Sequence, residues 1–439
     1  MSRVLVLIVA LLWTAAAAQA SAQVTRQPAS PGQVRGGTVA ATPAQRYPSL
    51  SAPAANPRLR AAPAAGWRVT PPQVWANPQT QVQISPQAVA DRIADRLERL
   101  LLGKAMGFSV TVMMPGGEFA SGNGGRARAA IDAPMREWTA NDRISVASVS
   151  KSITAAAVLR LAAQRGISLD TAAWTLLPTD WFYSPSFKTI TVRELLAHTS
   201  GIRGCDITHV ALQLCAIGTI NPADKGTGPA YETRYNNANY ALLRIILTEM
   251  ADGSILSTPR GIGERYVALV NQQVMGPAGM GGATCNSPSV NPPLSYLTAT
   301  DDGVDGSTAA VNYSWWKVNP GIDWGDMTEV CGSQGWNLSS RQLATFANAL
   351  MVSDRILPRA TVETMQSEML GLQYFDLGGG LTAFGHRGYH PGPANGGEVN
   401  TLILTFNNGV SIGLVINSRF VDNEQLTFVE QAVRDGWWS

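Results

Sequence analysis

Four cysteines among 439 residues, with no C-x-x-C pair, are too few for a disulfide scaffold, and four histidines leave no zinc-ligand spacing. No metal or other cofactor is therefore expected. Charge is scarce as well. Only 15% of residues are charged, and 33 Lys+Arg against 31 Asp+Glu leave a net +2, which excludes a nucleic-acid-binding surface over the whole protein. Mean hydropathy near zero excludes a multi-span membrane protein and a wholly disordered chain. The apolar run from Val4 to Ala18 is shorter than the about 20 residues a spanning helix needs. Arg3 precedes it, and the small-residue sites Ala18-Gln19-Ala20 and Ala20-Ser21-Ala22 follow it. Residues 1–22 therefore read as a signal peptide cut near Ala20 or Ala22, with the mature protein periplasmic or secreted.

Asp, Glu and Lys are absent between Gln23 and Ile84, where six Arg are the only charges, and eleven of the 26 prolines fall between Gln23 and Pro86. Such a composition buries too little apolar surface to offset the entropy of ordering, so 23–84 is expected to be a mobile, partly extended linker. Its positive charge suits a weak association with an anionic cell envelope; a plain spacer is the preferred reading. The ordered body is expected over 85–439. Ser85-Pro86 marks a helix start, and Val89, Ile93, Leu97, Leu100 and Leu101 recur at helical spacing. Gly107–Met114 reads as a strand, Pro115-Gly116-Gly117 as a turn, and Glu118–Ser121 as the next strand. Near the far end, Leu402–Phe406 and Val410–Ile416 flank Asn407-Asn408-Gly409, a hairpin signal, before a last helix from about Asn423 to Arg434. Strands at both ends with helices between predict an α/β chain of the α+β type: one antiparallel sheet built from both termini, flanked by helices, with a mostly helical insertion at about 165–340.

Three segments carry chemistry. Ser148-Val149-Ser150-Lys151 has S-x-x-K spacing and opens a helical run, so Lys151 can reach the Ser148 hydroxyl from the next turn. The helix N-terminus adds N–H groups suited to an oxyanion. Ser314-Trp315-Trp316-Lys317 has the same spacing, but Val318-Asn319-Pro320-Gly321 stops any helix there. Tyr235-Asn236-Asn237 is the only Y-x-N in the chain. A phenol between a serine and a lysine can relay protons if nearby cations lower its pKa, and the Asn237 amide suits an acyl-amide group. In Gly385-His386-Arg387-Gly388, strand alternation puts His386 and Gly388 on one face and Arg387 on the other, and the glycine lets a substrate lie against the backbone. His390-Pro391-Gly392 competes, but its proline removes an N–H from the strand edge.

Together these segments resemble the serine β-lactamase and penicillin-binding-protein superfamily, on the side of the class C β-lactamases, D-aminopeptidases and esterases. Further matching text is Ile190–Ile202, Val274–Met280 and Gly332–Phe346, and the likeness runs from about Ala88 to Ser418. The resemblance implies a β-lactamase/transpeptidase-like fold. It makes Ser148 the acylated nucleophile, Lys151 its proton partner, Tyr235 a general acid and base, and Asn237 a substrate-amide ligand. His386 and Gly388 then fill the third motif, and the backbone N–H groups of Ser148 and Tyr389 form the oxyanion hole. Efficient β-lactamases of this superfamily usually carry K-T-G at the third motif, whereas a histidine is mostly neutral at pH 7. That departure favours an ester or peptide-like amide over a β-lactam. Whether Lys151 or Tyr235 takes the serine proton stays open.

His198 follows the Thr191–Glu194 capping-box pattern, and a cap or packing role is preferred for it; His209 carries no signal. The four cysteines allow three pairings, of which Cys205–Cys215 and Cys285–Cys331 are preferred because each closes a local segment. The second would tie off a loop holding Trp315, Trp316 and Trp324, which either roof the site or pack the insertion. The expected activity is that of an exported serine hydrolase on a small-molecule or peptide-like acyl substrate. The alternative is an inactive relative that binds cell-wall peptide or a protein partner, against which the joint presence of Ser148, Lys151 and Tyr235 speaks.

Overall fold

The computed structural model describes residues 59–60, 67–73, 75, 83–225, 234–253, 258–297, 320–391, 397–420 and 425–438. The expected signal peptide lies outside them, as do most of the Pro/Ala-rich segment and the Ser314–Lys317 match with Trp315 and Trp316. The described strands are β1 (Leu59–Arg60), β2 (Gly107–Met113), β3 (Phe119–Arg128), β4 (Arg136–Glu137), β5 (Ile144–Ser145), β6 (Asn337–Leu338), β7 (Gln373–Asp376), β8 (Thr382–His390), β9 (Val399–Phe406) and β10 (Ser411–Ile416). The described helices are α1 (Pro86–Leu101), α2 (Ser150–Arg165), α3 (Val192–Leu196), α4 (His209–Ile217), α5 (Asn237–Asp252), α6 (Pro259–Val270), α7 (Ser340–Met351), α8 (Arg359–Ser367) and α9 (Gln425–Trp438).

Eight strands form one antiparallel sheet in the order β1-β7-β8-β9-β10-β2-β3-β4. The two ends of the chain meet in its middle, where β10 pairs with β2 and Ile412 lies opposite Val112. Alternation along β2 explains why the sheet is covered on both faces. Phe108, Val110 and Val112 join Val89, Ile93 and Leu97 of α1 and Phe428 and Val429 of α9 in one apolar layer. Thr111 points the other way and pairs through its hydroxyl with Ser340 of α7. Gly413 of β10 is required by that same helix, since a Cβ there would lie 2.4 Å from the Ser340 carbonyl oxygen. Local signals act as read: the Ser85 hydroxyl accepts the Ala88 N–H at 3.2 Å at the start of α1, and Gly409 turns the β9–β10 hairpin at φ +87°. Between α2 and α7 the regular elements are helices, apart from the short β6, but irregular chain makes up more of the described residues than helix does, which corrects the expected mostly helical insertion. This stretch contains the Cys205–Cys215 and Cys285–Cys331 disulfides.

Two further expectations change. β3 runs on to Arg128 instead of ending near Ser121, because its glycines admit neighbours that a side chain would exclude. A Cβ at Gly122 would lie 2.9 Å from the Ala94 carbonyl oxygen of α1. The stretch before Ile84 is also not all spacer. Leu59 and Arg60 pair with Phe375 and Tyr374 of β7. The Trp67 indole donates to Thr382 at 2.9 Å and its ring meets Phe384 edge-on at 4.9 Å. The Thr70 N–H reaches the Asn407 carbonyl, and Trp75 is buried. Two tryptophans in a Pro/Ala-rich text supply the apolar area that the average composition hides.

Candidate active site

Ser148 lies in the tight turn Ala147–Val149 that leads into α2, with Lys151 in the first turn of that helix. The Lys151 Nζ lies 3.0 Å from the Ser148 Oγ, within hydrogen-bond reach, and donates to the Ser333 carbonyl at 2.8 Å. Ser148 is 8% exposed and Lys151 not at all. Desolvation holds the Lys151 pKa well below the usual lysine range, which favours a neutral amine with a lone pair for the serine proton.

The turn is strained and heavily restrained. Ala147 has φ +46°, an uncommon conformation for a residue with a Cβ. The Val146 N–H donates to the Trp336 carbonyl at 2.7 Å, and the Thr401 hydroxyl donates to the Val146 carbonyl at 2.8 Å. Gly388 belongs to this restraint. A Cβ there would lie 2.1 Å from the Thr401 Oγ1 and 2.5 Å from the Val146 carbonyl oxygen. The expectation that this glycine makes room for substrate is thereby corrected: it makes room for the turn that carries Ser148.

Tyr235 immediately precedes α5, whose N-cap is Asn236, with the Asn236 Oδ1 accepting the Ala238 N–H at 2.8 Å. The Tyr235 hydroxyl is hydrogen-bonded to Ser148, and the Lys151 Nζ lies 4.7 Å from the centre of its ring. Here the structure departs from a cation-lowered phenol. Burial raises the Tyr235 pKa, opposed only by the Ser148 hydrogen bond, because the neighbouring lysine is itself desolvated. Asn237, the first residue of α5, is nearly buried, and its Oδ1 has no partner among the described residues.

On β8, His386 and Gly388 are buried and Arg387 between them is half-buried, as alternation requires. The His386 Nδ1 lies 2.6 Å from the Arg387 carbonyl oxygen. A carbonyl only accepts, so Nδ1 carries the proton and Nε2 a lone pair. That Nε2 is buried with no partner among the described residues. Burial and the nearby Lys151 push the His386 pKa down to about 3, so the ring is neutral. Its centre is 6.3 Å from that of Tyr235. The Arg387 N–H points away from β9 to the Gln373 side chain, at 3.0 Å. The pleat sends the Tyr389 N–H to the same edge, beyond the four residues of β8 that pair with β7. His390 ends the strand, with its ring edge-on to Trp324 at 3.8 Å.

Ser148, Lys151, Tyr235 and His386 thus come together, with Asn237 and Tyr389 beside them along the chain. Sequence reading missed one contributor and underrated another. One is the Ser333 carbonyl, in a loop stitched to α2 by the Thr154 hydroxyl on the Gly332 carbonyl at 2.7 Å and anchored by Cys331 two residues earlier. The other is His198, which ends α3 as the cap reading expects, its N–H on the Leu195 carbonyl at 3.3 Å, and whose ring also lies 4.4 Å from that of Tyr235. Gly409-Val410-Ser411-Ile412-Gly413 matches the G-x-S-x-G text of α/β-hydrolases. Ser411, however, is buried in β10 with its hydroxyl paired to Thr405 at 3.0 Å, and it sits on no strand-to-helix elbow. Among the described residues no group of His, Cys, Asp and Glu is arranged to hold a metal ion, and no helix is long and apolar enough to cross a membrane.

The Beta-lactamase family model matches residues 93–432. This chain belongs to the Beta-lactamase family. It is by that membership a serine hydrolase. Solved structures agree on the fold. D-amino acid amidase from Ochrobactrum anthropi SV3, in complex with L-phenylalanine amide, is 19% identical with a TM-score of 0.59, over 79% of this chain and 98% of that one. A D-stereospecific amidohydrolase from Streptomyces sp. is 21% identical with a TM-score of 0.52, over 77% and 97%. The octameric penicillin-binding protein homologue from Pyrococcus abyssi is 17% identical with a TM-score of 0.58, over 78% and 77%.

Proposed function

We propose that this Beta-lactamase family member is an exported hydrolase of small or peptide-like acyl substrates. It works through an acyl-enzyme on Ser148 and cleaves amides and esters in preference to β-lactams. The observation that carries this reading is the 3.0 Å bond between the Lys151 Nζ and the Ser148 Oγ inside a desolvated site. Lys151, whose neutral form burial favours, takes the hydroxyl proton as Ser148 Oγ attacks the acyl carbon. The oxyanion is received by the backbone N–H groups of Ser148 and Tyr389. Tyr235 passes its proton to the leaving nitrogen or oxygen and regains one from Lys151, so the scissile bond breaks and the amine is again neutral. Water repeats the sequence on the acyl–serine ester, which restores the Ser148 hydroxyl and releases the acid.

Lys151 is preferred over Tyr235 as the base because burial favours the neutral amine and disfavours the phenolate. Asn237 offers its amide to the acyl side of the substrate. A neutral His386 supplies no cation for a lactam carboxylate. The amidase likenesses and the similarity to the D-aminopeptidase and esterase branch support the same preference. Two disulfides support export, with residues 1–22 as the leader, 23–84 as a tether whose later part, from Leu59, docks on the sheet, and 85–439 as the catalytic body. A fluorophosphonate probe is expected to label the wild type and not Ser148→Ala. Purified enzyme is expected to turn over short-chain nitrophenyl esters and D-amino-acid amides faster than a chromogenic cephalosporin. Cephalosporin turnover orders of magnitude above the ester rate would sink the preference, and equal labelling of Ser148→Ala would sink the mechanism.

A further inference from the structure

We propose that His198 is a positioning residue for Tyr235, holding the phenol toward Ser148 by its ring face and by its Nδ1. The inference rests on the acyl-enzyme reading of Ser148 and Tyr235. A histidine after a short capped helix has an ordinary task in closing that helix, and the Thr191–Glu194 capping box of α3 is indeed formed. His198 does more than this. Its backbone does end α3: φ +57° is the left-handed residue of the helix stop, with the His198 N–H on the Leu195 carbonyl at 3.3 Å and the Thr199 N–H on the Glu194 carbonyl at 2.8 Å. Its side chain is buried as well, at 2% exposure, which a helix stop alone does not require.

The surroundings of that side chain are specific. The His198 ring lies 4.4 Å from the Tyr235 ring and 5.1 Å from that of Tyr240. Its Nδ1 accepts the Asn236 backbone N–H at 3.3 Å and faces the Asn239 Nδ2 at 3.0 Å. A backbone N–H can only donate, so Nδ1 must be the lone-pair nitrogen. The orientation of Asn239 agrees, since its Oδ1 takes the Ser200 hydroxyl at 2.6 Å and leaves its NH2 for the histidine. Ser200, Asn239 and His198 are all buried, so this chain of bonds has little freedom to rearrange. The Asn236 N–H belongs to the peptide plane that joins it to Tyr235. Fixing that plane fixes the Tyr235 backbone, and the imidazole face then limits where the phenol ring can turn. What remains open to the hydroxyl is the direction of Ser148, to which it is hydrogen-bonded.

Two substitutions separate the two contacts. His198→Phe keeps a ring against Tyr235 but removes the acceptor for Asn236 and Asn239. His198→Asn loses the ring but offers an acceptor oxygen close to the Nδ1 position, and Asn tolerates the left-handed backbone. For hydrolysis of a short-chain nitrophenyl ester, His198→Phe is expected to lower kcat about 100-fold, the scale set by a misplacement of about 1 Å. Its KM is expected to stay within about threefold of wild type, and His198→Asn to recover kcat to within about tenfold. Near-UV circular dichroism and thermal melts, read alongside, report whether each variant is folded. A folded His198→Phe with kcat near wild type overturns the proposal. So does a rise in KM at constant kcat, and so does equal loss of kcat in both variants together with loss of the near-UV signal, which would be packing alone. Ser148→Ala in the same assay keeps the two levels apart. If it retains ester turnover the acyl-enzyme reading has failed, whereas an inactive Ser148→Ala beside a fully active His198→Phe fails only the role of His198.

Discussion

On the helical side of Ser148, Lys151, Tyr235 and His198 are side chains held by other side chains and by loop carbonyls. On the strand side, β8 offers a backbone edge, a glycine and an imidazole whose places follow from sheet register. The two histidines that flank Tyr235 sharpen the contrast. His198 accepts a backbone N–H at Nδ1, and His386 donates from Nδ1 to the Arg387 carbonyl. One residue type therefore presents opposite polarities, and the nearest backbone group decides which. The helical side handles protons, and its groups are costly to bury. The strand side supplies shape, and its groups are costly to enlarge.

Substitutions on the two sides should accordingly separate activity from stability. The largest effect is expected from Lys151→Met: kcat falls about 1000-fold, within the range of a lost general base. Its melting temperature is expected to match or exceed wild type, because a desolvated amine gives way to an apolar chain of similar length. A large drop in melting temperature would show that the Ser333 carbonyl bond outweighs the desolvation, and would remove the contrast. Gly388→Ala should behave oppositely, losing about 1–3 kcal/mol in urea titrations through overpacking, with ester turnover falling as the Ala147 turn is displaced. A variant as stable as wild type would mean that the Thr401 and Val146 contacts yield easily. A further effect concerns acid. Burial pushes the His386 and His390 pKa values down to about 3, whereas in an unfolded chain histidine titrates near about 6.5. Between those values the unfolded chain binds protons that the folded state refuses, so stability falls as pH drops through that window. The urea midpoint is expected to decline from pH 7 to pH 5, and less so in His386→Gln/His390→Gln. An unchanged decline in the double variant would assign it to other groups.

Much of the fold was legible because its signals are local. The Ser85-Pro86 start, the Asn407-Asn408-Gly409 hairpin and the helix opened by Ser148–Lys151 each depend on a few neighbouring residues. The length of β3 and the docking of Trp67 were not legible, since both answer to partners far along the chain: Ala94 and Glu98 for Gly122, and Thr382 and Phe384 for the tryptophan. In the site, the spacing of Ser148 and Lys151 announced their contact, whereas the true neighbours of Gly388 and the second bond of Lys151 were hidden.

The sequence by itself determined which side chains could do chemistry and which short segments would be helix, strand or turn, because spacing and backbone preference act over a turn or two of chain. Only the tertiary structure decided the direction in which burial moves the pKa values of Lys151, Tyr235 and His386, the hydrogen bonds of the two histidines and the reason for Gly388. Desolvation and hydrogen-bond partnership are set by the folded surroundings, with partners 38 residues apart for His198 and Asn236 and 182 apart for Lys151 and Ser333, and no local pattern records them.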